Sequence, residues 1–299
     1  MDNITHTIVG AALAESGLKK RTPLAAATLM IGANFPDIDV IAVALGDSLT
    51  WRRGITHGFL ALVILPFILA WLMRRYDRLV RLRRRPDAIP ADFRQLVFLS
   101  AIAILTHPTL DFMNTYGMRW LMPFVNKWFY ADGLFIVDPY ILIALGLGVA
   151  LARRRTIYRP ARWALGGLVV YTTCMLLITA LGRTVVQARF PGTRIMVSPV
   201  PLQPWKRAVL VDDGELYQFG GYSVGGNVVM DPNSLAIGGA DPAVAAARNH
   251  PEAQGFVKWA RFPFYRVSRE GSETVVRMGD ARYTGVAGLG WATAEVRLP

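Results

Sequence analysis

Apolar residues gather in six runs over the first two thirds of the chain, each closed by a polar or charged break. Ile4 to Ser16 and Pro23 to Phe35 are short, each about 20 Å of helix against a hydrocarbon core of roughly 30 Å. The basic turn Gly17 to Thr22 joins them into a thin or re-entrant hairpin. Pro36 ends the second run and Asp37 and Asp39 follow; irregular backbone at membrane depth survives only where it is buried in protein or lines a polar cavity. Gly58 to Met73 enters a basic loop at Arg74, and Gln95 to Thr106 returns from it. Pro108 lacks an N–H, which predicts a loosened helix beside His107. Gly133 to Ala152 is interrupted only by Asp138 and ends at Arg153, and Trp163 to Gly182 crosses back.

From about Phe190 the pattern turns soluble. Alternating segments around Asp213-Gly214 and around Glu270-Gly271-Ser272 predict hairpins. Asp241-Pro242 ahead of Ala243 to Arg248 predicts an N-cap, a proline at the first helical position and a short helix. The expected fold is an α-helical multi-pass membrane domain, residues 1–189, followed by a small β-rich (α+β) soluble domain, residues 190–299.

Charge refines this picture. The 299-residue chain is 53% hydrophobic with net charge +12, but residues 190–299 hold 11 Lys/Arg against 10 Asp/Glu, leaving 22 against 11 in the apolar part. The excess lies in Arg74-Arg75, Arg81 to Arg85, and Arg153 to Arg162, between hydrophobic runs, as the positive-inside rule expects of cytoplasmic loops. That placement reads as a membrane protein and sets aside nucleic acid as a partner. Cys174 is the single cysteine, so no intrachain disulfide forms. A basic n-region followed by a cleavage site is not seen at the start of the sequence.

With both arginine-rich loops cytoplasmic, His6, Asp37, Asp39, His57, His107, Asp111, Asp132 and the C-terminal domain all fall on the outer side. Ionisable groups at membrane depth are expensive and mark function by default. His107 and Asp111 are four apart, on one face of a helix. Three histidines with at least two aspartates suit a divalent ion, Zn²⁺ first and Mn²⁺ or Fe²⁺ after it. The metal candidates are His6, Asp37, His57, His107, Asp111 and Asp138. Asp39 and Asp132 are candidates for the general base or for orienting an imidazole, and Arg53 and Arg119 for clamping an anionic oxygen. Asp138 precedes Pro139, so a helix-breaking role competes with ligation there; Arg53 and Arg119 offer a competing neutralisation of aspartates by salt bridges alone. His250 lies in a turn of the soluble domain and is assigned no role.

At these residues the chain resembles the bacterial membrane-bound metal-dependent hydrolases described as LexA-regulated. The resemblance is carried by Thr5-His6 with Gly10, Pro36-Asp37-Ile38-Asp39, Arg53-Gly54-Ile55-Thr56-His57, His107-Pro108-Thr109-Leu110-Asp111 through Asn114-Thr115-Tyr116-Gly117, Pro123-Phe124, and Phe135-Ile136-Val137-Asp138-Pro139. It extends into the soluble part through Trp259-Ala260-Arg261-Phe262-Pro263 and Asp280-Ala281-Arg282-Tyr283. Two positions depart from the family pattern, which often has His where Arg52 stands and Ser where Gly58 stands, so a role for those two side chains is not expected. The resemblance implies metal-dependent hydrolysis at a bacterial inner (plasma) membrane.

Enough carboxylates are present to serve metal-activated water, and the position of the ligands beside Trp120 and Trp128, aromatics suited to an interface, points to a phosphoester of a lipid or lipid-linked substrate. A transporter or ion conduit using the same cluster, and a scaffold whose helices a metal merely holds, are the rival classes; a conduit would place its site near the midplane between repeated halves.

Overall fold

The computed structural model describes residues 1–41, 48–284 and 292–299. The chain forms two compact units: Met1–Ile41 with Arg52–Leu176, and Leu177–Pro299, to which the single helical turn Ser48–Trp51 also belongs.

In the first unit, α1 (Asn3–Glu15) and α2 (Ala25–Gly32) form the expected short hairpin, joined through a 3₁₀ turn at Leu18–Lys20. Asp2 caps α1 by accepting the Ile4 and Thr5 amides, satisfying donors that have no intrahelical partner. The hairpin is close because Gly10 has no side chain: a Cβ there would stand 2.6 Å from the Leu29 carbonyl oxygen. After α2 a 3₁₀ turn, Phe35–Val40, carries Asp37 and Asp39.

α3 (Phe59–Tyr76) does not give way to a loop at Arg74, as the basic composition suggested. A π-helical segment, Asp77–Arg81, and a final turn, Leu82–Arg84, continue it. Buried Asp77 explains the continuation, since its carboxylate accepts from Arg81 and from the Ala91 amide and so ties the helix end to the returning chain. α4 (Phe93–Phe112) starts at the Asp92 cap and runs unbroken past Pro108. The expected loosening beside His107 does not end the helix, because proline removes a single ladder bond while the buried side chains on both sides stay packed. α5 (Pro139–Arg155) begins six residues later than its apolar run, where Asp138 caps it, and α6 spans Arg159–Arg189.

Among the described residues, three helices are long and apolar enough to cross a membrane: Phe59–Arg84, Phe93–Phe112 and Arg159–Arg189. α5, with 17 residues, is not among them.

In the second unit the end of α6 lies on a four-stranded antiparallel sheet, β1 (Arg194–Val200), β2 (Gln203–Asp212), β3 (Leu216–Ser223) and β4 (Val228–Ala236), in the order β1-β2-β3-β4. Gly182 allows the approach, a Cβ there lying within 3.0 Å of Val197 and Tyr222. Two helices follow, α7 (Pro242–Asn249), capped by Asp241, and α8 (Gln254–Trp259). A second antiparallel sheet, β5 (Pro263–Glu270), β6 (Glu273–Asp280) and β7 (Thr293–Leu298), completes the unit. Both expected hairpins form, at Asp213-Gly214 and at Glu270 to Glu273. The motifs around Trp259 and Asp280 meet in this core: Asp280 accepts from Arg282 and from the Arg261 amide, and the rings of Trp259 and Tyr283 stack 5.6 Å apart. Their role is packing.

Gly10→Ala should lower the stability of the purified protein by about 1–3 kcal/mol, the usual cost of overpacking a filled contact. A thermal unfolding scan in detergent checks this; an unchanged midpoint would mean that the two helices separate freely.

Candidate metal centre

Four side chains from three separate stretches converge: Asp37 from the 3₁₀ turn, His57 from the turn before α3, and His107 with Asp111 from α4. Their ligand atoms lie within 4.8 Å of one another. His57 Nε2 is 3.1 Å from His107 Nε2. Asp37 Oδ1 is 3.6 Å from both imidazole nitrogens, and Asp111 Oδ2 is 3.6 Å from His57 Nε2 and 3.5 Å from His107 Nε2. A tetrahedral ion with bonds of about 2.1 Å requires ligand separations of about 3.4 Å. Five of the six edges, at 3.1–3.6 Å, match that size, and the sixth, between Asp37 and Asp111, lies within 4.8 Å.

The outer hydrogen bonds fix which ring nitrogens are free. His107 Nδ1 lies 2.7 Å from the carbonyl oxygen of Ala33, which can only accept, so Nδ1 carries the proton and Nε2 presents a lone pair. His57 Nδ1 faces Asp39 Oδ2 at 3.4 Å and Thr56 Oγ1 at 3.0 Å, the carboxylate–histidine arrangement that turns Nε2 toward a metal. Two lone pairs then confront one another at 3.1 Å, and Asp37 Oδ1, a buried oxygen, has no hydrogen-bond donor. Without a cation between them this grouping is repulsive; with one it is satisfied. The donor set of two nitrogens and two oxygens, with no sulfur, fits a divalent ion such as Zn²⁺ or Mn²⁺.

Burial pushes the His57 imidazole below its ordinary value, favouring the neutral form that ligates.

The other expected site residues are placed as follows. His6 Nε2 stands 3.3 Å from Asp111 Oδ1 and its ring stacks on His107 at 3.8 Å, so it adjoins the four without being one of them. The Met1 amino group also contacts Asp111. Asp39 accepts the Arg53 amide at 2.7 Å and faces His57, an orienting position. Arg53, at φ +51°, grips Asp111 with Nε at 3.0 Å and Nη2 at 3.1 Å, and gives Nη1 to Asn114 and the Gly117 carbonyl. Arg119 is buried against Trp128, donating to Asn126 and to the Arg52 carbonyl. Asp132 is fully buried at φ +54°, and bonds from Ala131 to Phe112 and from Gly133 to Met113 hold its segment against the end of α4. Asp138 is corrected as a ligand: its carboxylate accepts from the Tyr140 and Ile141 amides and from the Tyr171 hydroxyl, which makes it a helix cap.

Three contributors escaped the sequence. Arg52, set aside there, lies with Nη2 3.6 Å from Asp37 and Nε 3.7 Å from Asp39, its side chain 27% exposed beside otherwise buried ligands. Thr56 and Asn114 stand in quoted motifs, and only their contacts reveal a role. Gly58 also has a reason: a Cβ would meet the Met122 carbonyl oxygen at 2.3 Å, so serine would not fit without movement.

The sequence profile of the YdjM inner membrane protein family matches residues 1–185, which hold every residue of this cluster. The chain belongs to that family. It is also similar to an uncharacterized protein of Bacillus subtilis (strain 168), YfhP, at 25% identity over 315 residues, covering 95% of this chain and 87% of that protein. No solved structure matches it. Membership agrees with the three candidate spans and places the cluster in an inner membrane protein.

His57→Ala, His107→Ala and Asp37→Ala should each lower the divalent metal content of the purified protein, measured by elemental analysis, while His250→Ala should leave it unchanged. Asp39→Asn should weaken affinity about 10–100-fold, the usual effect of losing an orienting partner. Since protonated imidazole cannot ligate, retention should fall as pH drops, and burial of His57 moves its share of that loss below the ordinary histidine range. Full occupancy in His57→Ala/His107→Ala would overturn the centre.

Proposed function

We propose that the chain is a multi-pass inner membrane hydrolase that depends on a divalent metal, Zn²⁺ foremost, and cleaves a phosphoester of a lipid or lipid-linked substrate. The observation that carries the reading is the tetrahedral grouping of Asp37, His57, His107 and Asp111 with oriented imidazoles. A divalent ion held there lowers the pKa of water toward neutrality and polarises a phosphoryl oxygen. The chain's own residues divide the remaining work. Asp39 orients His57, and Arg53 holds Asp111 in place. Arg53 and Arg119 are committed to protein partners, so the anionic oxygen of a substrate falls to Arg52, the partly exposed guanidinium beside Asp37. An apolar groove of about 550 Å³, lined by Val9, Leu13, Leu105, Leu110, Met113 and Leu168, is formed by the same stretch of α4 and suits an acyl chain. The arginine-rich stretches are cytoplasmic in this reading, with the site and the C-terminal unit on the other side.

One observation favours a second reading. Four protein atoms already fill a tetrahedron, the closed arrangement of structural metal sites, whereas catalytic sites keep a position open. The metal would then staple the helices and no hydrolysis would follow.

Chelation should abolish turnover of a phospholipid or polyprenyl phosphate panel, and added Zn²⁺ or Mn²⁺ should restore it. Arg52→Gln should raise KM tenfold or more with metal content unchanged. Stoichiometric metal with no turnover across phosphoester and acyl-ester panels would establish the staple. Reporter fusions after Arg85 and after Pro299 should report opposite sides; agreement between them would overturn the orientation.

A further inference from the structure

Leu121, Met122, Pro123, Phe124 and Val125 form an unbroken apolar run between Trp120 and Asn126, and its side chains are open: Phe124 is 70% and Val125 48% exposed. The run is ordered. The Phe124 and Val125 amides both donate to the Leu121 carbonyl, closing one turn, and a bridge between Met118 and Phe129 holds the two flanks of that turn together. Lys127, exposed, is the first charge after it.

This turn is fastened to the first residue of a helix apolar enough to span a membrane. The Phe59 amide, at the start of α3, donates to the Trp120 carbonyl at 3.0 Å, and the rings of Phe59 and Phe124 stack 5.7 Å apart. The depth of Phe59 follows from the other end of α3. Arg74, the first charge of that helix, lies over the Phe93 ring at 5.4 Å, so the apolar parts of α3 and α4 begin at one level. From Arg74 back to Phe59 the helix rises about 22 Å at 1.5 Å per residue, against a hydrocarbon core of roughly 30 Å. With Arg74 at one boundary, Phe59 stands roughly 8 Å short of the other, and any tilt leaves it deeper. A turn stacked on Phe59 therefore lies within hydrocarbon, and its open apolar surface is continuous with Leu60, Val63 and Phe67, exposed along the same helix. Lys127 is two residues beyond Val125, a reach of up to about 7 Å of extended chain, and its own side chain carries the ammonium the rest of the way to the headgroups.

We propose that residues 121–125 are a membrane-inserted turn whose partner is lipid hydrocarbon, seated in the leaflet opposite Arg74 with Lys127 at the headgroups. Trp128, close behind Lys127, is the side chain such a boundary selects. The turn is also tied to the stretch that carries His57: Arg119 donates to Asn126 and to the Arg52 carbonyl, and the Met122 carbonyl oxygen stands where a Cβ on Gly58 would be, 2.3 Å away. Seating the turn thus sets the height of that stretch in the bilayer. The insertion requires only that α3 spans the membrane and is independent of metal binding and of hydrolysis.

Spin labels on the full chain test it, in Cys174→Ser protein reconstituted into phosphatidylethanolamine–phosphatidylglycerol vesicles. Labels at Phe124→Cys and Val125→Cys should collide severalfold more with oxygen than with a water-soluble nickel chelate, as a label at Phe67→Cys within the span does. A label at Asp87→Cys should show the reverse. All four positions are exposed, so folding is preserved, and Val125→Cys leaves the stack of Phe59 on Phe124 intact. A water-like ratio at Val125→Cys, matching that at Asp87→Cys, overturns the proposal. Labels at 124 and 125 shielded from both reagents report a protein partner there, a second copy of the chain included, and overturn it equally.

Discussion

Two unprotonated imidazole nitrogens held 3.1 Å apart, with two carboxylate oxygens within 3.6 Å of them, form the constraint on which the membrane unit depends. Nothing in that grouping attracts. Each nitrogen is turned inward because its ring partner is occupied, His107 by the Ala33 carbonyl and His57 by Asp39 and Thr56. Arg53 neutralises Asp111, but the facing lone pairs and the donor-less Asp37 Oδ1 stay unsatisfied, and a buried polar atom without a partner costs about 1–3 kcal/mol. A cation at the meeting point of these atoms would remove that cost, and its binding would then contribute to the folding free energy.

Three features show how tightly the surroundings are matched to this requirement. Arg53 takes a left-handed backbone that costs a non-glycine residue energy, and in return its amide reaches Asp39 while its guanidinium reaches Asp111. The same residue thus orients one ligand directly and another through its partner. Gly10 and Gly58 remove side chains where backbones approach too closely for a Cβ. Asp138, Asp92 and Asp2 cap helices, so these carboxylates near the apolar helices are consumed by free amides.

The C-terminal unit is built on a different principle. Its two sheets share a core of aromatic residues, with Tyr217 bonded to the Pro263 carbonyl and stacked edgewise on Phe262, and its recurring motifs are spent on packing. The candidate metal cluster lies in the matched region, residues 1–185.

The helical and sheet-rich parts, both hairpin turns, the cap at Asp241, and the gathering of Asp37, His57, His107 and Asp111, four of the six metal candidates, were legible in the sequence, whereas Asp138 was read as a ligand and is a helix cap. The legible features depend on local periodicity, turn chemistry and the cost of ionisable groups in apolar runs, all properties of short stretches. Residue types did not separate ligand from orienter. Asp37 and Asp39 are two apart and chemically identical, yet only the fold turns one carboxylate into the tetrahedron and the other toward an imidazole Nδ1. Nor could charge alone assign the three arginines. Arg53 and Arg119 are spent on partners 58 and 67 residues away in sequence, and Arg52 is left beside the ligands with its side chain partly in solvent. The extension of α3 past Arg74 followed from one buried carboxylate, Asp77, reaching the Ala91 amide across a turn. Such contacts join segments distant along the chain, so their geometry exists only once the tertiary structure has brought them together.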